Sequence, residues 1–418
     1  MRVTQSMIHN DLVLTLNRQK NSLEKVENEI STGVKIQKPS DDPVGAANQN
    51  ILSSRLNEIN QYERNAGDAR DKINLIDGNL GQVTDIMQRV RELAVQAANG
   101  TNSKFELSEP IAREIEQHLL ALVDIANGKD STGKTLFGGS VIERNSFVAV
   151  YSNNVTDGNL DNGRALSGVV YQGDILTQKR EIERGQQMDI TVPGNRVFWG
   201  TNMTIASNTD ASNYVARGNE SFAIDGVKID VAAGDTLNEI IRKINNSPVD
   251  VKASIGAQND LVLTTKSPHQ MWLEDVEGST VLQDLGVIDG NNPAPGNNIS
   301  ASALVTGMSM FDVIIQLRDD LIRGDQNQIG GRDMEAIDMA MDNVLRYRSD
   351  VGARENRLET HEKKLASDKI YTQDLLAKNQ DVDMVDSIVQ LKWLESIHGY
   401  ALKVGADLIK PTLMDFLR

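Results

Sequence analysis

Leu52, Arg55, Ile59, Tyr62, Ala66, Ala69, Ile73, Ile76, Leu80, Val83, Met87, Val90, Ala94 and Ala97 follow one another at alternating steps of three and four residues. Arg55 alone breaks the apolar row. A straight helix of about 3.6 residues per turn drifts by about 20° per heptad, so a seven-residue repeat held this long marks a coiled-coil seam. At about 1.5 Å per residue such a helix runs roughly 70 Å. Gly67, Gly78 and Gly81 each cost about 1 kcal/mol of helix propensity, so packing has to hold the element together. Periodicity alone leaves two readings open: a seam that supercoils against partners, or the long core helix of a bundle.

Outward from this stretch, the flanking segments repeat the pattern. Toward the N-terminus, Leu12, Leu16, Leu23, Val26 and Ile30 form a shorter seam, with polar Gln19 in one slot and Gly33 as the stop. Asp42 is placed to cap the long helix and Pro43 to occupy its first turn. Past the stop at Asn99-Gly100, a helix opening near Ser108-Glu109-Pro110 carries Ile111, Ile115, His118, Leu119, Leu122 and Ile125 on one face. Helices resume over residues 310–322. After Gly331, Ile337, Val344, Val351, Leu358 and Leu365 fall every seventh residue, the expected mate of the first seam. The last stretch bears Val382, Val385, Val389, Trp393, Ile397, Tyr400, Val404 and Leu408 before Pro411 interrupts it.

Between the helical halves the texture changes. Gly and Asn become frequent, and Asp157-Gly158, Asn162-Gly163 and Asp225-Gly226 mark turns. Strands are expected over 168–171, 187–192, 222–224, 227–231, 251–255 and 261–265, with one helix over 236–245 and a loop over 291–298. The fold class is therefore mainly α with a β insertion, a long antiparallel coiled-coil bundle drawn from both chain ends around a β-rich middle domain. The expected domains are an N-terminal assembly helix at 1–42, the outgoing rod at 43–140, the β-rich outer insertion at 141–304, the returning rod at 305–378 and a C-terminal assembly helix at 379–418. The two end segments are expected to be disordered in the monomer, since each presents an apolar face with no mate of its own.

Composition narrows the chemistry. Fifty-nine Asp and Glu against 43 Lys and Arg give the 418-residue chain a net charge of −16, which argues against nucleic acid or an anionic membrane as partner. Cysteine is absent, excluding disulfides and thiol catalysis. No apolar run is long enough to span a membrane, and the first twenty residues lack the pattern of a secretory signal peptide. Asp41 and Asp42 invite a metal or acid–base reading, but capping accounts for them. The histidines His9, His118, His269, His361 and His398 show no ligand spacing. Gly128-Lys129-Asp130-Ser131-Thr132-Gly133-Lys134-Thr135 satisfies the phosphate-loop pattern, yet that chemistry needs a strand before the loop and a helix after it. Helical spacing precedes it, and Leu136-Phe137-Gly138-Gly139 follows, so a helix-ending turn is expected. No catalytic residue, cofactor or metal site is assigned. Two unpartnered terminal helices call instead for lateral association of copies, in a ring or a helical lattice.

Several motifs, in order at both ends, carry a resemblance. They are Met1-Arg2-Val3-Thr4-Gln5-Ser6-Met7, Ile30-Ser31-Thr32-Gly33, Pro39-Ser40-Asp41-Asp42-Pro43-Val44-Gly45-Ala46 and Arg91-Glu92-Leu93-Ala94-Val95-Gln96-Ala97-Ala98-Asn99-Gly100. Leu136-Phe137-Gly138-Gly139, Val351-Gly352-Ala353-Arg354-Glu355-Asn356-Arg357-Leu358-Glu359 and Leu413-Met414-Asp415-Phe416-Leu417 continue the series. The chain resembles the flagellar hook-associated protein 3 family, the hook–filament junction proteins of the flagellin-like group. Its 222–263 segment is similar to a β-rich module of flagellins and related axial proteins. It departs from the family pattern at Val385-Asp386-Ser387 and at Trp393. The resemblance implies a non-enzymatic structural adaptor, exported through the flagellar type III apparatus with the help of a chaperone. Assembled as a ring, it would join hook-associated protein 1 to flagellin, in an extracellular flagellum or a periplasmic one. The residues expected to carry assembly are Leu12, Leu16, Leu23, Val26, Ile30, Val385, Val389, Trp393, Tyr400, Val404 and Leu408; those of the rod seam are Ile59, Ile73, Ile76, Leu80, Val83, Val90, Val344, Val351, Leu358 and Leu365. The alternatives are a flagellin-type filament subunit, a coiled-coil adhesin or signalling protein, and a phosphate-loop nucleotide-binding protein.

Overall fold

The computed structural model describes residues 5–99, 108–152, 165–276, 278–291 and 295–409. It divides into two compact units, one of residues 1–64 with 362–418 and one of residues 65–361. In chain order come α1 (Gln5–Thr32), α2 (Pro43–Ala98) and α3 (Ser108–Ala126), then β1 (Phe147–Ser152), β2 (Ala165–Tyr171), β3 (Lys179–Glu183), β4 (Gln186–Asp189), the single turn α4 (Gly194–Val197) and β5 (Thr204–Ala206). After these follow β6 (Glu220–Ile224), β7 (Val227–Val231), α5 (Leu237–Asn246), β8 (Val251–Ile255), β9 (Leu261–Thr265), β10 (Leu273–Asp275), the turn α6 (Val281–Asp284) and β11 (Leu304–Thr306). Last are α7 (Met310–Arg323), the turn α8 (Gln326–Gln328), a π turn (Ile329–Asp333), α9 (Met334–Gln380) and α10 (Met384–Ile409). The fold is thus the expected helical frame with a β-rich middle. The turn pairs Asp157-Gly158 and Asn162-Gly163, part of the 291–298 loop, the opening residues and the closing Leu413-Met414-Asp415-Phe416-Leu417 lie outside the described residues.

In the larger unit, α2 and α9 run antiparallel. Arg348 bonds Asp77 at 3.1 Å and Arg91 bonds Asp338 at 2.6 Å, so the partner numbers fall along one helix as they rise along the other. Between them Ile73, Ile76, Leu80, Val83 and Val90 meet Val344, Val351 and Leu358 in one buried core. Ile115, Leu119 and Leu122 of α3 and Val313, Ile314 and Leu317 of α7 join it. The seam is therefore covered by the chain's own helices, the bundle reading rather than supercoiling against partners. Arg318, buried in this core, holds Glu116 at 2.6 Å and the Leu166 carbonyl at 2.9 Å, tying α7 to α3 and to β2.

Within the expected insertion, Phe147, Leu166, Tyr171, Ile182, Val192 and Phe198 belong to this helical core. Four of the seven phenylalanines, Phe137, Phe147, Phe198 and Phe311, cluster there with Tyr171, with ring centroids 5.1 to 5.7 Å apart. A second core starts at Met203. It is built on the antiparallel sheets β10-β6-β7 and β11-β5-β9-β8, with Ile240 and Ile244 of α5 inside. The Asp225-Gly226 turn joins β6 to β7 with φ of 51° and 79°, the left-handed pair that matches the strands' own twist. Thr236 and Glu239 close a capping box on α5. The sequence does not single out the strands β1, β3, β5, β10 and β11; β5, β10 and β11 are three residues long, too short to alternate.

Candidate assembly surface

In the smaller unit α1 packs along α10. Asp42 accepts from the backbone of Val44 at 3.1 Å and Gly45 at 3.0 Å, capping α2, while Asp41 accepts from Lys38 at 3.0 Å. Both aspartates are thus engaged in backbone turns. The connector after α1 is stitched to the one before α10: Lys35 donates to the Gln380 carbonyl at 2.8 Å, and Val382 to that of Gly33 at 3.0 Å. Asn379 reaches the Gly45 carbonyl at 2.8 Å. Deeper in the unit Ile59 of α2 and Leu365 of α9 are buried, and Lys369 bonds Glu63 at 2.6 Å.

The assembly residues named from sequence fall into two groups. Leu12, Leu16, Leu23 and Ile30 are half-buried and Val26 is buried, so the α1 stripe lies on the inner side of the pair. Leu12 nests against Gly405, where a Cβ would lie 2.8 Å from the leucine methyl. On α10 the opposite holds. Val385, Val389, Trp393, Tyr400 and Val404 are all exposed, from 57% for Val404 to 75% for Val385. The side chain of Leu408 lies outside the described residues. Each large apolar side chain moved from water into a partner stabilises by about 1.5 to 3 kcal/mol, and a contiguous apolar stripe of this kind marks a surface meant to be covered. Val13 and Leu14 of α1 and Ile388 and Leu402 of α10 are exposed as well, additions that the seven-residue spacing did not single out.

In the Gly128–Thr135 loop, backbone N–H groups are already engaged within the loop. Asp130 fills the cradle, accepting from the backbone of Thr132 at 2.8 Å and Lys134 at 3.0 Å. Burial pushes its carboxyl up, but these bonds and the charge of Lys72 together hold it below the ordinary range. A helix, α3, precedes the loop. Lys129 and Thr135 close it as a β-bridge. Among the histidines, His269 is buried between the Ser267 carbonyl at 2.8 Å and Asp225 at 2.9 Å, a structural knot behind the β6–β7 turn.

Antiparallel helix pairs, a β-rich middle and an exposed apolar helical face make up the helical frame of a structural protein. Residues 3–141 match the bacterial flagellin N-terminal helical region, and residues 204–267 match the flagellin hook IN motif. The chain is similar to polar flagellin C of Vibrio parahaemolyticus, 24% identical over 378 residues that cover 90% of this chain and 88% of that one. Flagellin B of Vibrio cholerae is 30% identical over 254 residues, 60% of this chain and 61% of that one. Among solved structures, flagellar hook associated protein-3 from Legionella pneumophila aligns over 79% of this chain and 98% of its own, with 20% identity and a TM-score of 0.46. The two matched regions make the chain flagellin-like over its N-terminal helices and part of its β-rich middle.

Proposed function

We propose that the protein is the adaptor of the hook–filament junction, a ring of copies that seats on hook-associated protein 1 and receives the first flagellin subunits. The observation that supports it is the exposed stripe Val385, Val389, Trp393, Tyr400 and Val404 on a helix whose other side is already occupied by α1. Lateral neighbours cover this stripe, and residues 1–42 and 379–418 take their full order from that contact. Export through the flagellar type III apparatus follows from the same reading. The α10 stripe is held by a chaperone beforehand, and the second core faces outward from the assembly.

Replacing Leu16 and Leu23 by Asp tests it. The larger unit is expected to stay folded by circular dichroism while incorporation into flagella and filament attachment are lost. Normal attachment in that variant sinks the reading. The runner-up is a flagellin-type filament subunit, favoured by the match to polar flagellin C over 90% of this chain. Filaments grown from the purified chain alone would decide for it.

A further inference from the structure

Eight strands lie at sheet edges among the described residues: β1, β2, β3, β4, β7, β8, β10 and β11. An open edge offers unpaired backbone groups to any other strand, and on seven of the eight a side chain takes at least one of these groups. Asn127 holds both backbone groups of Phe147 in β1, and Asn245 does the same for Ala253 in β8. Glu116 and Arg318 hold Leu166 in β2. Asn65 bonds Glu181 in β3, Arg354 bonds Asp189 in β4, Lys243 bonds Asp230 in β7 and Asn298 bonds Leu273 in β10.

The eighth, β11, has no such guard among the described residues. Its one ladder partner is β5, and all three of its side chains face water, Leu304 at 64% and Val305 at 41% exposure. Nor is it guarded by charge. Residues 290–311 contain no Asp, Glu, Lys, Arg or His, in a chain that is 24% charged.

We propose that β11 is a pairing edge for β11 of a second copy, antiparallel, extending the four-stranded sheet across two chains. Two copies of a chain with net charge −16 repel each other over most of their surface and can approach closely where charge is absent. A two-fold contact is self-complementary: Val305 meets Val305 of the second copy, and Leu304 meets Thr306, the apolar and β-branched cross-strand pairs that antiparallel ladders favour. The pairing stands apart from the terminal helices.

The test uses the full chain in a Val389→Asp, Trp393→Asp background, where the exposed α10 stripe is disabled, so that its outcome is separate from filament attachment. Because the chain lacks cysteine, Val305→Cys supplies a single thiol. Its disulfide-linked dimer is expected to form at least about tenfold faster than that of Val215→Cys, a more exposed position outside the named strands, at 53% against 41%. Leu304→Lys with Val305→Lys is expected to weaken the dimer in sedimentation by about tenfold or more, with an unchanged melting curve. Equal cross-linking at 305 and 215 overturns the proposal, as does a dimer that survives both lysines or a chain that is monomeric before they are introduced.

Discussion

Two antiparallel helix pairs in this molecule share one sequence pattern and differ in how much of it they bury. Along α2 and α9 in the larger unit every seam residue is dry: Ile73, Ile76, Leu80, Val83 and Val90 against Val344, Val351 and Leu358, each at 1% exposure or less. Along α1 and α10, Leu12, Leu16, Leu23 and Ile30 are only half-covered, and α10 turns a second apolar stripe to water. The difference is the number of walls. The first pair has α3 and α7 packed over it, whereas α1 and α10 have each other. A helical face is stable in water to the extent that something covers it, so the first pair is closed and the second leaves an apolar face open.

The largest effect is expected where the seam is deepest. Leu80→Ala should lose about 2 to 5 kcal/mol of stability, the range for a fully enclosed leucine, read by urea unfolding; a loss below about 1 kcal/mol would mean that the seam is as loose as the terminal pair. Next is Arg318→Met, which leaves Glu116 buried without its counter-charge. Breaking such a pair costs about 3 to 5 kcal/mol, lowered toward the small end here because the Glu116 carboxylate keeps the Leu166 amide. Restoring stability with Glu116→Gln in the same chain would assign the loss to the stranded charge.

A pH effect is expected in the larger unit. Burial raises the Asp333 carboxyl to about 6, with Arg332 opposing and buried Asp320 adding to the rise. Arg323 also faces Asp320, at 2.9 Å. A carboxyl that holds its proton more tightly when folded opposes folding once ionised. Its cost is therefore present above about pH 6 and is relieved as the pH falls through that value toward the ordinary carboxylate range. Asp333→Asn should raise the melting temperature near neutrality and remove this part of the gain on acidification. Parallel pH curves for the two proteins would refute it. The smallest effect on the free chain is expected at Trp393→Ser. Exposed at 63%, this residue should change monomer stability by no more than about 0.5 kcal/mol while lowering incorporation into flagella. A marked loss of monomer stability would show that α10 already buries it.

Much of this architecture was legible because its signals are local. The seven-residue spacing placed both long helices, Asp42-Pro43 placed the start of α2, and Asp225-Gly226 placed the turn between β6 and β7. The Gly128–Thr135 loop could be set aside from its flanks alone, and Asp130 in the cradle gives the physical reason. The assembly residues were only partly legible. An apolar stripe announces that a helix face wants cover, but the same pattern describes Leu16, turned toward α10, and Trp393, turned toward water.

By itself, then, the amino-acid order determined the helical frame, the β-rich middle and the caps and turns that bound them, since each depends on residues within a few positions of one another. Tertiary structure decided what distance along the chain conceals. It brought α3 and α7 over the seam, drew Phe147, Tyr171 and Phe198 into the helical core, and carried Asn65, Asn127 and Arg354 to strand edges while leaving β11 open. Those outcomes rest on contacts between residues far apart in the chain, and periodicity has no information about which surface will meet which.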